Sequence, residues 1–166
     1  RIVLDSAEGA PDVSVVIDLS KTPHRDKVTY VRGVLPLLNT LRRRTGLPHK
    51  ILLDEAHYFL WAGSVNHLID PELAGYIIVT YRLSTISPDA RLPQDTVAIL
   101  RRESDAHEVQ ALAAMCCPAS GQALPKSLVA RLGPEEAVLL PGADEAHGEV
   151  VRFTVAPRLT EHVRHR

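Results

Sequence analysis

The chain reads as an α/β fold: a mainly parallel sheet flanked by helices, closed by a C-terminal β-hairpin. Three features of its 166 residues predict this. Short runs rich in β-branched residues recur along the first two thirds, and they are continuous rather than alternating, as in strands covered on both faces. Stretches of helical period separate them, which implies parallel strands joined by crossovers. After about residue 133 the grammar changes to two strand-like runs around a Pro-Gly turn.

The first run is VSVVID at residues 13–18, a buried strand by composition. Residues 26–44 follow with Val28, Val31, Leu35, Leu38 and Leu41 at helical spacing. Pro36 predicts a kink or a late helix start there, and Gly46 and Pro48 end the helix. Residues 50–54 (KILLD), 75–80 (GYIIVT) and 95–100 (DTVAIL) are the next three strands. Residues 104–115 form a helix with Ser104 as its expected N-cap, and residues 125–132 a shorter one. Residues 137–140 and 149–155 form the hairpin. Residues 1–156 are thus expected as a single α/β domain, and residues 157–166 as a tail.

Composition narrows the function classes. Hydrophobic residues make up 45% and charged residues 23%, so the chain can bury a core and is not disordered. No apolar run approaches the roughly 18 residues of a membrane span, so no membrane partner is expected. The net charge of -1 lacks the basic excess of a stand-alone nucleic-acid binder. Nothing in the residues proves a nucleic-acid partner. The one dense basic run, Arg42-Arg43-Arg44, reads as the cationic last turn of a helix. Cys116 and Cys117 are adjacent and have no metal-binding spacing, which fits a reducing, cytoplasmic setting.

The tetrapeptide Asp-Glu-Ala-His occurs twice, at residues 54–57 and 144–147. Context separates the copies. The second follows Pro141-Gly142 and reads as a solvated turn. The first follows Ile51-Leu52-Leu53, at the carboxyl end of a predicted strand, where open α/β sheets bind ligands. There Asp54 can hold Mg²⁺ through its water shell, and Glu55 can orient or deprotonate an attacking water. Phosphoryl transfer asks for this positioning and charge neutralisation. The pattern is that of a Walker B strand. On the next strand, Thr80 or Tyr81 would lie beside Glu55 and could sense a γ-phosphate. Arg82, Arg101 and Arg102 follow strand ends and are candidates for an arginine acting on that phosphate, although Arg101 and Arg102 read rather as structural partners of Glu103 or Asp105. His57 reads as a histidine that packs and hydrogen-bonds locally, with coupling of the nucleotide site to a neighbouring loop as the alternative. Tyr58, Phe59 and Trp61 form either a partner surface or a helix packed on the sheet.

On ILLDEAHYFL (51–60), VVIDLS (15–20) and YIIVTYRLSTI (76–86), the chain resembles the back half of HerA/FtsK-type, RecA-like P-loop ATPases over roughly residues 13–102. With TPHRDK, LRRRTGLPHKILLDEAH and the terminal HVRHR it is also similar to ATPase domains fused to a haloacid-dehalogenase-type phosphatase domain. The resemblance implies ATP and Mg²⁺ as cofactors, with Asp54 as the metal residue and Glu55 as the catalytic glutamate. It also implies self-association or a fused phosphatase domain as partner. The chain departs from the family in one respect: it contains no G-x-x-x-x-G-K-[ST] loop, whose backbone N–H groups and lysine cradle the phosphates. The expectation is that this loop lies upstream of Arg1 and that the chain alone is inactive. The alternative is a degenerate, non-catalytic regulatory or interaction module. A DEAH-box helicase is excluded, since no Ser-Ala-Thr motif follows. The D-x-D nucleophile motif of the phosphatases is also absent.

Overall fold

A computed structural model describes residues 13–61, 65, 67–90, 98–100, 103–115, 129–140 and 150–157. The fold is mixed α/β, and the chain divides into two compact units, residues 1–92 and 93–166. The second Asp-Glu-Ala-His copy, the two cysteines, Arg101, Arg102, most of the predicted 125–132 helix and the tail beyond residue 157 lie outside the described residues.

In the first unit, α1 (His24–Thr45) runs unbroken through Pro36. The ring removes one backbone donor, yet the helix starts before the proline rather than after it. Asp26 sits in the first turn, and Gly46 ends the helix at φ 67°, donating its N–H to the Arg42 carbonyl at 2.9 Å. A left-handed glycine there satisfies one of the carbonyls that a helix end leaves open. The basic run forms the last turn of α1, as expected, with Arg43 and Arg44 exposed. Arg42 is buried, donates to the Ala74 carbonyl and lies 4.9 Å from the Tyr76 ring centroid. Arg43 pairs with Asp70 at 2.5 Å and Glu72 at 2.8 Å.

Strand β1 (Ile51–Leu53) pairs in parallel with β2 (Tyr76–Ile78), in the register Ile51–Tyr76, Leu52–Ile77, Leu53–Ile78. Alternation sorts the side chains. Ile51, Leu53, Tyr76 and Ile78 pack on the core, together with Val28 and Val31 of α1. The core itself is Leu35, Ala56, Phe59, Leu60, Val65, Leu68, Ile69, Ile86 and Ala90. Leu52, Ile77 and Val79 on the other face are exposed. One face of the pair is therefore covered among the described residues, where continuous apolar runs had predicted two. At about 25 cal/mol per Å² the hydrophobic gain comes from the α1 side.

Residues 13–18 are a correction. They form no strand, and Val13, Val15, Val16 and Ile17 are exposed. β-branched composition favours a strand only where a neighbour supplies hydrogen bonds and packing; no described residue pairs with this run. Its end is a turn instead. Asp18 accepts the Ser20 N–H at 2.8 Å, and this bond holds the Asp18 carboxyl below its ordinary range.

The second unit corrects the parallel expectation further. Strand β3 (Ala98–Leu100) joins an antiparallel sheet of order β3-β4-β5, with β4 (Glu136–Leu140) in the centre and β5 (Val151–Thr154) at its side. The predicted hairpin is thus present as β4–β5. It extends to β3 rather than capping a parallel sheet, and the parallel sheet has two strands among the described residues. Helix α2 (Ala106–Met115) starts later than expected. Its cap is Asp105, whose Oδ1 accepts the N–H groups of His107 (2.7 Å) and Glu108 (3.4 Å), and not Ser104. The Ser104 N–H is taken by the Glu103 carboxylate at 2.7 Å. Glu136 is held by a two-pronged pair with Arg152 (3.0 and 2.6 Å), which depresses its carboxyl and raises the guanidinium.

Candidate functional site

The parallel register of β1 and β2 brings their carboxyl ends level. The ladder continues past the strands: Val79 donates to the Leu53 carbonyl and Ala56 to that of Val79, both at 3.0 Å. Residues 54–58 and 79–82 are therefore fixed side by side by backbone bonds before any side chain is considered.

At the end of β1 the chain turns sharply. Asp54 is exposed, and its Oδ1 accepts the Glu55 N–H at 2.9 Å. Glu55 takes a left-handed conformation, φ 51° and ψ 42°, and is the one non-glycine residue with positive φ among those described. Such a conformation costs about 1–2 kcal/mol for a residue with a Cβ, and residues held in it cluster at functional sites. Here it swings the next residues into a single 3₁₀ turn, Ala56–Tyr58, which folds back over the strand ends.

That turn seats His57 at the centre of the site. Its side chain is 4% exposed, with Nδ1 3.1 Å from Thr80 Oγ1 and 3.5 Å from Glu55 Oε2. The ring packs against Tyr58 (centroids 4.2 Å apart) and edge-on against Tyr81 (4.6 Å). Nε2 is buried with no hydrogen-bond partner among the described residues. Thr80 Oγ1 also accepts the Arg82 N–H at 2.9 Å. The Arg82 guanidinium lies 5.4 Å from the Tyr81 ring centroid, and His24, at the start of α1, meets the Tyr58 ring edge-on at 4.8 Å. A hydrogen bond with Tyr81 is the main cause that raises the Tyr58 phenol above its ordinary value; the Tyr81 charge, desolvation and the Glu55 charge add to it, and Arg82 opposes it.

Residues singled out from the sequence therefore converge: Glu55, Thr80 and Tyr81 lie around His57, and Arg82 joins them through Thr80 and the Tyr81 ring. Asp54 stands at the same strand end, and its exposed carboxylate suits an ion held through water rather than a direct cage. Among the described residues, no group of three or more His, Cys, Asp or Glu side chains is arranged to hold a metal directly. The aromatic run after β1 divides: Phe59 is buried in the core, whereas Tyr58 and Trp61 are exposed, and one 3₁₀ turn stands where a packed helix was an alternative.

Sequence reasoning missed one member. The local packing and hydrogen bonding expected of His57 are present, whereas His24 had not been considered. The signal for His57 was its place two residues beyond Glu55, within reach of a neighbouring strand tip once the chain turns back. His24 had none, because its place depends on how α1 lies against the turn. No helix of the described residues is long and apolar enough to cross a membrane. No protein-family model matches the chain, and no curated protein is significantly similar to it.

Proposed function

We propose that this chain is the back half of an ATP-binding and ATP-hydrolysing P-loop domain, carrying its Walker B strand. The observation that supports this best is the parallel β1–β2 register, with an acidic pair at one strand end and a hydroxyl at the next, bridged by one imidazole. Ligands of parallel α/β sheets bind beyond such strand ends.

In this reading Asp54 holds Mg²⁺ through water, and the ion neutralises charge on the transferring phosphate. Glu55 orients and deprotonates the attacking water. Its half-exposed carboxylate is open to solvent on one side and tethered to His57 on the other. Thr80 or Tyr81 senses the terminal phosphate, and Arg82 is the candidate cation at the same strand tip.

The test is Glu55→Gln in the full-length protein. Turnover should vanish while Mg·ATP still binds; unchanged turnover would sink the reading. A second reading, a regulatory or interaction module that kept this shape, is favoured by the lack of a G-x-x-x-x-G-K-[ST] loop in the 166 residues. Negligible Mg·ATP binding by the full-length protein would decide for it.

A further inference from the structure

Resting on the nucleotide-hydrolysis reading, we infer that His57 is a positioning residue: its Nδ1–H turns the Thr80 hydroxyl into a hydrogen-bond donor for a phosphate oxygen and links that hydroxyl to Glu55.

The argument is one of donors and acceptors. A neutral imidazole has one N–H and one lone pair, and the environment selects which nitrogen carries the proton. Nδ1 faces a carboxylate oxygen at 3.5 Å and a hydroxyl oxygen at 3.1 Å. A lone pair on Nδ1 would point towards the carboxylate, and a proton on Nε2 would be a buried donor with no partner among the described residues. Both are unfavourable, the second by about 1–3 kcal/mol. The Nδ1–H tautomer removes both and leaves on Nε2 an unpaired lone pair in place of an unpaired donor.

The consequence falls on Thr80. A hydroxyl accepts two hydrogen bonds and donates one. Oγ1 accepts the Arg82 N–H at 2.9 Å and, in this tautomer, the His57 Nδ1–H at 3.1 Å. Both acceptor directions are filled, so the remaining capacity is its own hydrogen. A group that can only donate discriminates for an acceptor-only ligand atom, such as an oxygen of a terminal phosphate, and against a donor. The same Nδ1–H lies within reach of Glu55, so whatever engages Thr80 is felt by the water-orienting carboxylate through one ring. The packing of Tyr58 and Tyr81 against that ring limits its rotation.

Two measurements on the full-length protein test this. Selective ¹⁵N-histidine NMR, with His57 assigned against His57→Asn, should show a protonated Nδ1 and an unprotonated Nε2; the opposite tautomer overturns the inference. In steady-state ATP turnover, His57→Leu, which keeps apolar packing, should lower kcat by about 10²-fold, the scale of a misplaced reacting group, with little change in nucleotide affinity. His57→Asn, whose amide can stand in for Nδ1–H, should recover part of the loss. Thr80→Val should lower kcat comparably and Thr80→Ser should not, which keeps the test valid if His57 variants fold poorly. Normal turnover in His57→Leu, beside an inactive Glu55→Gln, overturns the positioning role and leaves the hydrolysis reading intact. No turnover in the unmutated protein overturns both.

Discussion

Removing the Tyr76 hydroxyl should expose how α1 is fastened to the sheet. Tyr76 Oη donates to Asn39 Oδ1 at 2.6 Å and accepts the Asp70 N–H at 3.2 Å, while Asn39 Nδ2 donates to the Leu68 carbonyl at 3.0 Å. Asn39 is buried at 7% exposure. Tyr76→Phe therefore strands a buried acceptor and a backbone donor, a penalty of about 1–3 kcal/mol. Asn39→Ala strands the Leu68 carbonyl and the Tyr76 hydroxyl, at a similar cost. The shared bond is lost only once, so the double variant should fall short of the sum by about 0.5–3 kcal/mol. Urea unfolding of the four proteins, compared at constant m, measures the cycle. Tyr76→Phe keeps the ring under the Arg42 guanidinium, so the cycle isolates the hydroxyl from the cation–π contact. Additivity within about 0.5 kcal/mol, or a neutral Tyr76→Phe, would refute the reasoning.

Three further outcomes follow from local geometry. Glu55→Gly should stabilise the chain by about 1 kcal/mol relative to Glu55→Ala, because only glycine adopts φ 51° without strain; equal melting of the two would show that the turn carries none. Asp105→Ala should cost about 1 kcal/mol and Ser104→Ala less than about 0.5, read by thermal melts; the reverse order would return the cap to Ser104. Asp70 and Glu136 are held below their ordinary values, first by hydrogen bonds from Arg43 and Arg152 respectively. Depressed carboxyls contribute stability that is present above their unfolded values, about 3.9 and 4.3, and that is lost as pH falls through the folded ones. Stability should thus decline below about pH 4, and the decline should flatten in Arg43→Met and Arg152→Met, checked by urea midpoints from pH 2 to 7.

Elements whose signals are local were legible. Of the α1 stripe, Leu35 and Leu41 are buried, Val28 and Val31 pack on the core and Leu38 is partly buried, and Gly46 ended the helix because glycine alone takes φ 67° there at no cost. The parallel pairing of β1 and β2, which brings Glu55 and Thr80 to the same strand ends, followed from two apolar runs separated by a long connection. What failed was partner choice. Residues 13–18 and 98–100 have the same β-branched grammar as β1, but a strand is defined by its neighbour, and composition does not name one. The first run is exposed, and the second pairs antiparallel with β4. The cap moved from Ser104 to Asp105 because the helix begins at Ala106, which sets the Asp105 carboxylate against the N–H groups of His107 and Glu108. For His57 the local packing was expected; what no residue pattern announces is the left-handed backbone at Glu55 that carries the ring to Thr80.

The backbone ladder behind the site has an evolutionary corollary. Thr80 meets His57 because β2 runs in one fixed phase beside β1. In a strand each step of one residue advances about 3.3 Å and reverses the face. A single-residue insertion between Tyr76 and Thr80 would present Val79 where the hydroxyl now stands, whatever the chemistry of the neighbours. Length changes between the strands leave that phase untouched, although Val65, Leu68 and Ile69 tie much of the segment joining residue 61 to residue 75 to the core. Drift within Tyr76–Thr80 should therefore run to changes of identity, never of spacing.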